Sequence, residues 1–135
     1  MTDPASPPDP ETLRQLQQTV DNWIRSIGVR YFSPLSNLAQ LVEEVGELAR
    51  AINRRHGDQS SKPGESAGEL ADELADVLFV VTCLANQCGV DLQDAVAANL
   101  RKKTVRDSGR HRDNPKLASA GEHNKALDKS EDKRP

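Results

Sequence analysis

Asp72-Glu73-Leu74-Ala75-Asp76-Val77-Leu78-Phe79-Val80-Val81-Thr82-Cys83-Leu84-Ala85 is the stretch on which the fold turns. Read at helical period, Glu69, Asp72, Glu73 and Asp76 share one face, and the residues after Asp76 carry no charge on any side. A helix that is apolar all round is a buried helix. Val80 lies one turn beyond Asp76 on the same face, so the acidic face runs straight into core. This places Glu73 and Asp76 at the rim of a buried cleft.

Upstream, Leu41-Val42-Glu43-Glu44-Val45-Gly46-Glu47-Leu48-Ala49-Arg50 has the same period. Glu43, Glu44 and Glu47 fall in one sector, nearly opposite the apolar stripe of Leu38, Leu41, Val45, Leu48 and Ile52. Ser33-Pro34 starts this helix and Gly57 ends it after His56. An earlier helix carries Leu13, Leu16, Val20, Trp23, Ile24 and Ile27 at 3/4 spacing, with Asp9-Pro10 as its start and Gly28 as its stop. The loop at 57–65 and a capping box, Ser66 with Glu69, place the start of the third helix near Ala67 and its end before Gly89. Asp91 caps a fourth helix bearing Leu92, Val96 and Leu100 that fades after Val105. No period-two stretch marks a strand. The expectation is an all-α, antiparallel four-helix bundle, and a core this small predicts a homodimer or a tetramer built from dimers.

Composition sets the limits of that domain. Residues 11–106 are about 43% apolar, while residues 107–135 carry 13 charges and only Leu117 and Leu127 as large apolar side chains. The reading is a flexible segment at 1–8, a domain at 9–110 and a charged, disordered tail at 111–135. A net charge of −3 gives no basic excess for duplex nucleic acid. The uncharged run from Val77 to Val90 is too short and too polar to span a bilayer, and the N-terminus has no signal-peptide pattern. A cytoplasmic protein without a membrane partner is expected. Cys83 and Cys88, five residues apart, match neither a redox pair nor a zinc knuckle and read as buried free thiols.

If the second and third helices pack side by side, Glu44, Glu47, Glu73 and Asp76 converge as two i,i+3 pairs. Two carboxylates ~5 Å apart repel by about 3 kcal/mol at an effective dielectric of 20, so such a group needs protons, basic partners or a cation. Oxygen ligands without a nearby histidine favour Mg²⁺, or Mn²⁺, over Zn²⁺. The di-iron pattern Glu-x-x-His is absent. A solvated acidic face, with Arg50 pairing Glu47, is the other reading of the same spacing.

Together, LVEEVGELAR at 41–50 and DELADVLFVV at 72–81 resemble the MazG-type branch of the all-α nucleoside triphosphate pyrophosphohydrolases. The signature of that superfamily is Glu-x-x-Glu, a spacer, then Glu-x-x-Asp, and it stands here as Glu44, Glu47, Glu73 and Asp76. The resemblance extends from about Leu13 to His111, with Arg110 and His111 matching the family's tail end. It implies Mg²⁺-dependent hydrolysis of a nucleoside triphosphate between the α and β phosphates, with those four residues as metal ligands. Glu43, Glu44 and Glu47 are then the catalytic candidates, Glu43 as a second-metal ligand or general base. Asn99, Lys102, Lys103 and Arg106 share a face of the fourth helix and are candidate phosphate contacts. Trp23 fits either core or base pocket, and Tyr31 and Phe32 are placed to stack on a base. Phosphoribosyl-ATP as substrate, and a non-enzymatic helical interaction module, are the alternatives.

Overall fold

Thr12, rather than Asp9, is the cap that the computed structural model gives the first helix. Its hydroxyl accepts from the Gln15 N–H at 3.1 Å, and α1 runs Leu13–Ser26. The structure describes residues 12–64 and 70–118. Asp9-Pro10, the Ser66/Glu69 capping box and most of the charged tail therefore lie outside the described residues. After α1, Val29 takes a left-handed φ of 72° and turns the chain towards Tyr31.

Pro34–His56 forms α2 as the sequence predicts, with the Ser33 hydroxyl accepting from the Ser36 N–H and Gly57 at the other end. Leu70–Gln87 forms α3, and Leu92–Asp107 forms α4, where Asp91 accepts from the Asp94 N–H at 3.0 Å. A single turn, α5, covers Pro115–Ala118, inside the segment expected to be tail. The described residues are helical with no strand, and among them no single helix is long and apolar enough to cross a membrane.

The chain divides into two compact units after Ala95. In the first, α3 packs against both α1 and α2. The core is small: Val20, Ile24 and Cys83, with Leu16, Tyr31 and Phe79 packed against them. Polar links fix α1 on the end of α3. Tyr31 donates to Asp21 at 2.7 Å and accepts from Asn86 at 3.0 Å, and Arg14 grips Asp91 and Asp94 at 2.6 Å each. Thr82, fully buried, returns its hydroxyl to the Leu78 carbonyl, so this polar residue costs the apolar core no unmet bond.

The orientation of α2 corrects part of the expectation that its apolar stripe faces the core. Asn37 and Ala51 are buried, and Leu41 and Leu48 of the stripe are half-buried together with Glu44 and Glu47, whereas Leu38, Val45 and Ile52 of the stripe are between 44% and 49% exposed and neighbouring Val42 is 67% exposed. The acidic side of α2 faces inward. Nor is α3 apolar and buried all round, since Leu74 and Leu78 are about half exposed, and of the two cysteines expected to be buried only Cys83 is, Cys88 being exposed just past the helix end. The physical reason is that α3 has neighbours on only part of its circumference within this unit.

In the second unit, Asp107 is buried and gathers basic side chains from its own helix and the turn after it. Arg106 donates to both its oxygens at 2.9 and 2.6 Å, with Arg110 at 4.0 Å and His111 at 3.7 Å.

Candidate active site

Inward rotation of α2 is what assembles the site. Glu44 from α2 and Glu73 and Asp76, one turn apart on α3, each bring a carboxylate oxygen into a group whose members lie within 4.8 Å of one another. Burial pushes the Glu73 carboxyl above its ordinary range, and the negative charges of Glu47, Asp76, Glu44 and Asp72 push it further in the same direction. Gln40 supports the group by donating to Glu44 Oε1 at 2.7 Å. The arrangement is an all-oxygen donor set under mutual repulsion, and its chemistry fits a hard divalent cation.

The remaining predicted acids stand differently. Glu47 lies close enough to act on Glu73 electrostatically but reaches Arg50 at 3.7 Å and is outside the tight group. Glu43 is exposed on α2 and is not a member of that group. Asn99, Lys102, Lys103 and Arg106 are exposed on α4 and belong to the second unit. Of these, Arg106 already spends its guanidinium on Asp107.

A cavity of about 370 Å³ opens beside the acids, with Glu44 and Asp76 on its wall. Trp23, Tyr31, Phe32 and Phe79 supply aromatic surface to it. Trp23 and Phe79 meet edge to face, with ring centroids 5.7 Å apart and planes at 89°. Phe32 is 60% exposed and Trp23 is 37% exposed, so both rings present surface beyond what the core covers. The structure thus resolves the ambiguity over Trp23: it flanks the core and lines the cavity.

Sequence reasoning missed the polar lining, Arg30, Asn37 and Gln40. One signal was available. Asn37, Glu44 and Ala51 recur at intervals of two helical turns and all lie on the inward side of α2, so an asparagine there is selected by what faces it.

The MazG nucleotide pyrophosphohydrolase domain model matches residues 32–111, which contain both acidic motifs. YpjD of Bacillus subtilis (strain 168) is 40% identical over 100 residues, covering 74% of this chain and 90% of that protein. Among solved structures, a Bacillus-conserved MazG protein, a nucleotide pyrophosphohydrolase, aligns with TM-score 0.59 and 37% identity over 70% of this chain and 92% of its own. The structure of YPJD from Bacillus subtilis aligns with TM-score 0.64 and 39% identity, over 74% of this chain and 100% of its own.

Proposed function

Because this chain belongs to the MazG nucleotide pyrophosphohydrolase family, we propose that it hydrolyses nucleoside triphosphates between the α and β phosphates, releasing the monophosphate and pyrophosphate in nucleotide-pool house-cleaning. The observation that carries this reading is the group of Glu44, Glu73 and Asp76 opening onto an aromatic-lined cavity. Glu44, Glu73 and Asp76, completed by Glu47, would hold Mg²⁺, with Mn²⁺ as a substitute. The ion would supply charge neutralisation at the phosphate oxygens and a more acidic water. The protein's own groups do the rest. Trp23 and Phe32 hold the base by stacking, which fixes the triphosphate's direction relative to the acids. Glu43, exposed beside Glu44 and in no ion pair among the described residues, is assigned as the base that takes the water's proton.

The test is a panel of the common dNTPs and NTPs incubated with Mg²⁺ or EDTA, scored for pyrophosphate against orthophosphate. Pyrophosphate release that needs Mg²⁺ and is lost in Glu44→Gln is expected. Orthophosphate release would overturn the cleavage site.

The outward residues of α2, Leu38, Val42, Val45 and Ile52, follow 4-3-7 spacing, and Leu74 and Leu78 of α3 are about half exposed as well. A core as small as this needs more apolar burial than one chain supplies, and a second copy offers the matching stripe. We assign this seam to a homodimer, itself able to pair into a tetramer. Sedimentation is expected to give a mass of two or four chains for the native protein and one chain for Val45→Asp. A native monomer would overturn the assignment.

A further inference from the structure

We propose that the cavity selects nucleotides whose base carries an exocyclic amino group at C4 of a pyrimidine or C6 of a purine, held between the side-chain oxygens of Asn37 and Gln40. The inference rests on the nucleotide-hydrolase reading above and adds the feature of the base that is read.

Gln87 Nε2 donates to the Phe32 carbonyl at 2.6 Å, and a carbonyl can only accept, so the orientation of the Gln87 amide is fixed. Gln87 Oε1 must then be its acceptor, and it takes a hydrogen bond from Asn37 Nδ2 at 2.8 Å. That fixes the Asn37 amide in turn. The relay leaves Asn37 Oδ1 with no partner among the described residues, on a side chain that is 6% exposed and lines the cavity. Asn37 lines the cavity, and this oxygen is the end of its amide that the relay leaves for a ligand there.

Gln40, three residues on and on the same side of α2, repeats the device. Its Nε2 donates to Glu44 Oε1, a carboxylate oxygen, so Gln40 Oε1 is the end left for a ligand. Two acceptors one turn apart on a cavity wall match a group that offers two hydrogens from one atom. A cytosine or adenine amino group does so. Uracil, thymine, guanine and hypoxanthine place a carbonyl oxygen at the corresponding ring position, and that oxygen would face two acceptors with no proton between them. Leaving buried polar groups unpaired is the strongest form of rejection available to such a site. Trp23, Phe79 and Phe32 tolerate any base face, so the discrimination falls on the amides.

The experiment compares dCTP with dUTP, and dATP with dITP, as pairs that differ at this position. We expect kcat/KM to favour the amino member by about tenfold or more in each pair. In Gln87→Leu the Asn37 amide is free to turn over, and the ratio is expected to fall towards one. Equal turnover within both pairs, or preference for the oxo member, overturns the proposal while leaving the hydrolase reading intact. If no triphosphate is hydrolysed, the hydrolase reading fails and binding still decides. Trp23 is the sole tryptophan and lines the cavity, so its fluorescence reports dCMP and dUMP directly. Quenching by dCMP at about tenfold lower concentration than dUMP supports amino-group selection; equal quenching, or none, overturns it.

Discussion

The acids of this protein fall into two populations that differ in what surrounds them. Asp21 accepts from Arg25 and Tyr31, Asp91 from Arg14 and the Asp94 N–H, and Asp107 from Arg106; each is held below the ordinary carboxylate range by those bonds. Glu73 is surrounded by Glu47, Asp76, Glu44 and Asp72, and is pushed the other way. The first population binds helices and turns together. The second works against the fold until something of opposite charge arrives, and strain of that kind is kept where it serves chemistry. Both kinds can sit on a helix at i,i+3 spacing. Only their neighbours tell them apart.

Glu73→Gln separates the two populations by the largest effect. Removing a ligand that neutralises developing phosphate charge is expected to lower kcat/KM at least about a hundredfold, measured by pyrophosphate release. The same substitution is expected to raise the melting temperature of the metal-free protein, because it removes a carboxylate held among like charges. A stabilising change that destroys activity is the mark of the second population. A destabilised Glu73→Gln protein would place this residue with the structural acids.

Metal linkage comes next in size. Mg²⁺ at about a hundred times its dissociation constant stabilises a folded site by about 2.7 kcal/mol, so the native protein should melt higher in Mg²⁺ than in EDTA. Asp76→Asn should lose most of that difference, and Asp91→Asn should keep all of it. A metal-dependent shift that survives Asp76→Asn would mean that the ion sits elsewhere. Trp23→Ala is expected to act more weakly, raising KM about tenfold through lost stacking with kcat little changed.

Much of this was legible in the sequence for physical reasons that are local. The bounds of α2 follow from Ser33-Pro34 and Gly57, and the pairing of Glu44 with Glu73 and Asp76 follows from i,i+3 geometry on two helices that must pack. What escaped reading depends on rotation about the helix axis. Leu38, Val45 and Ile52 look like core because apolar stripes usually are, yet α2 turns that edge of the stripe outward, keeps Leu41 and Leu48 half-buried and directs Asn37 and Glu44 inward. A single chain's pattern does not tell which edge of such a stripe its own core will cover. The Asn37–Gln87–Phe32 relay was equally invisible, since its members are 50 and 55 residues apart and nothing in either sequence neighbourhood names the other. At the first helix, Thr12 satisfies the capping rule as well as Asp9-Pro10 does, and nothing in the local pattern ranks one above the other.

The smallest effect carries the clearest sign, and it is the dependence of stability on pH in EDTA. Glu73 has a folded-state value above its ordinary 4.5, so it binds more protons folded than unfolded in that interval. Its ionisation destabilises the fold, and that penalty is fully present at neutral pH and relieved as pH falls through the raised value. Asp21 and Asp91 have folded-state values below their ordinary 3.8. Their contribution is fully present above that value and is lost as pH falls through the depressed ones. The two populations therefore give opposite slopes. The melting temperature of the metal-free protein should rise from neutrality towards the ordinary glutamate range, then fall below the ordinary aspartate value. Glu73→Gln should flatten the rise alone, and Asp91→Asn should reduce the fall alone. Because Arg14 and Asp91 are solvent-exposed, the second change will be small, a shallower acid limb rather than its removal. If both substitutions altered the same limb, the two populations would be one, and the acids on α2 and α3 would lose their distinction from those that merely join helices.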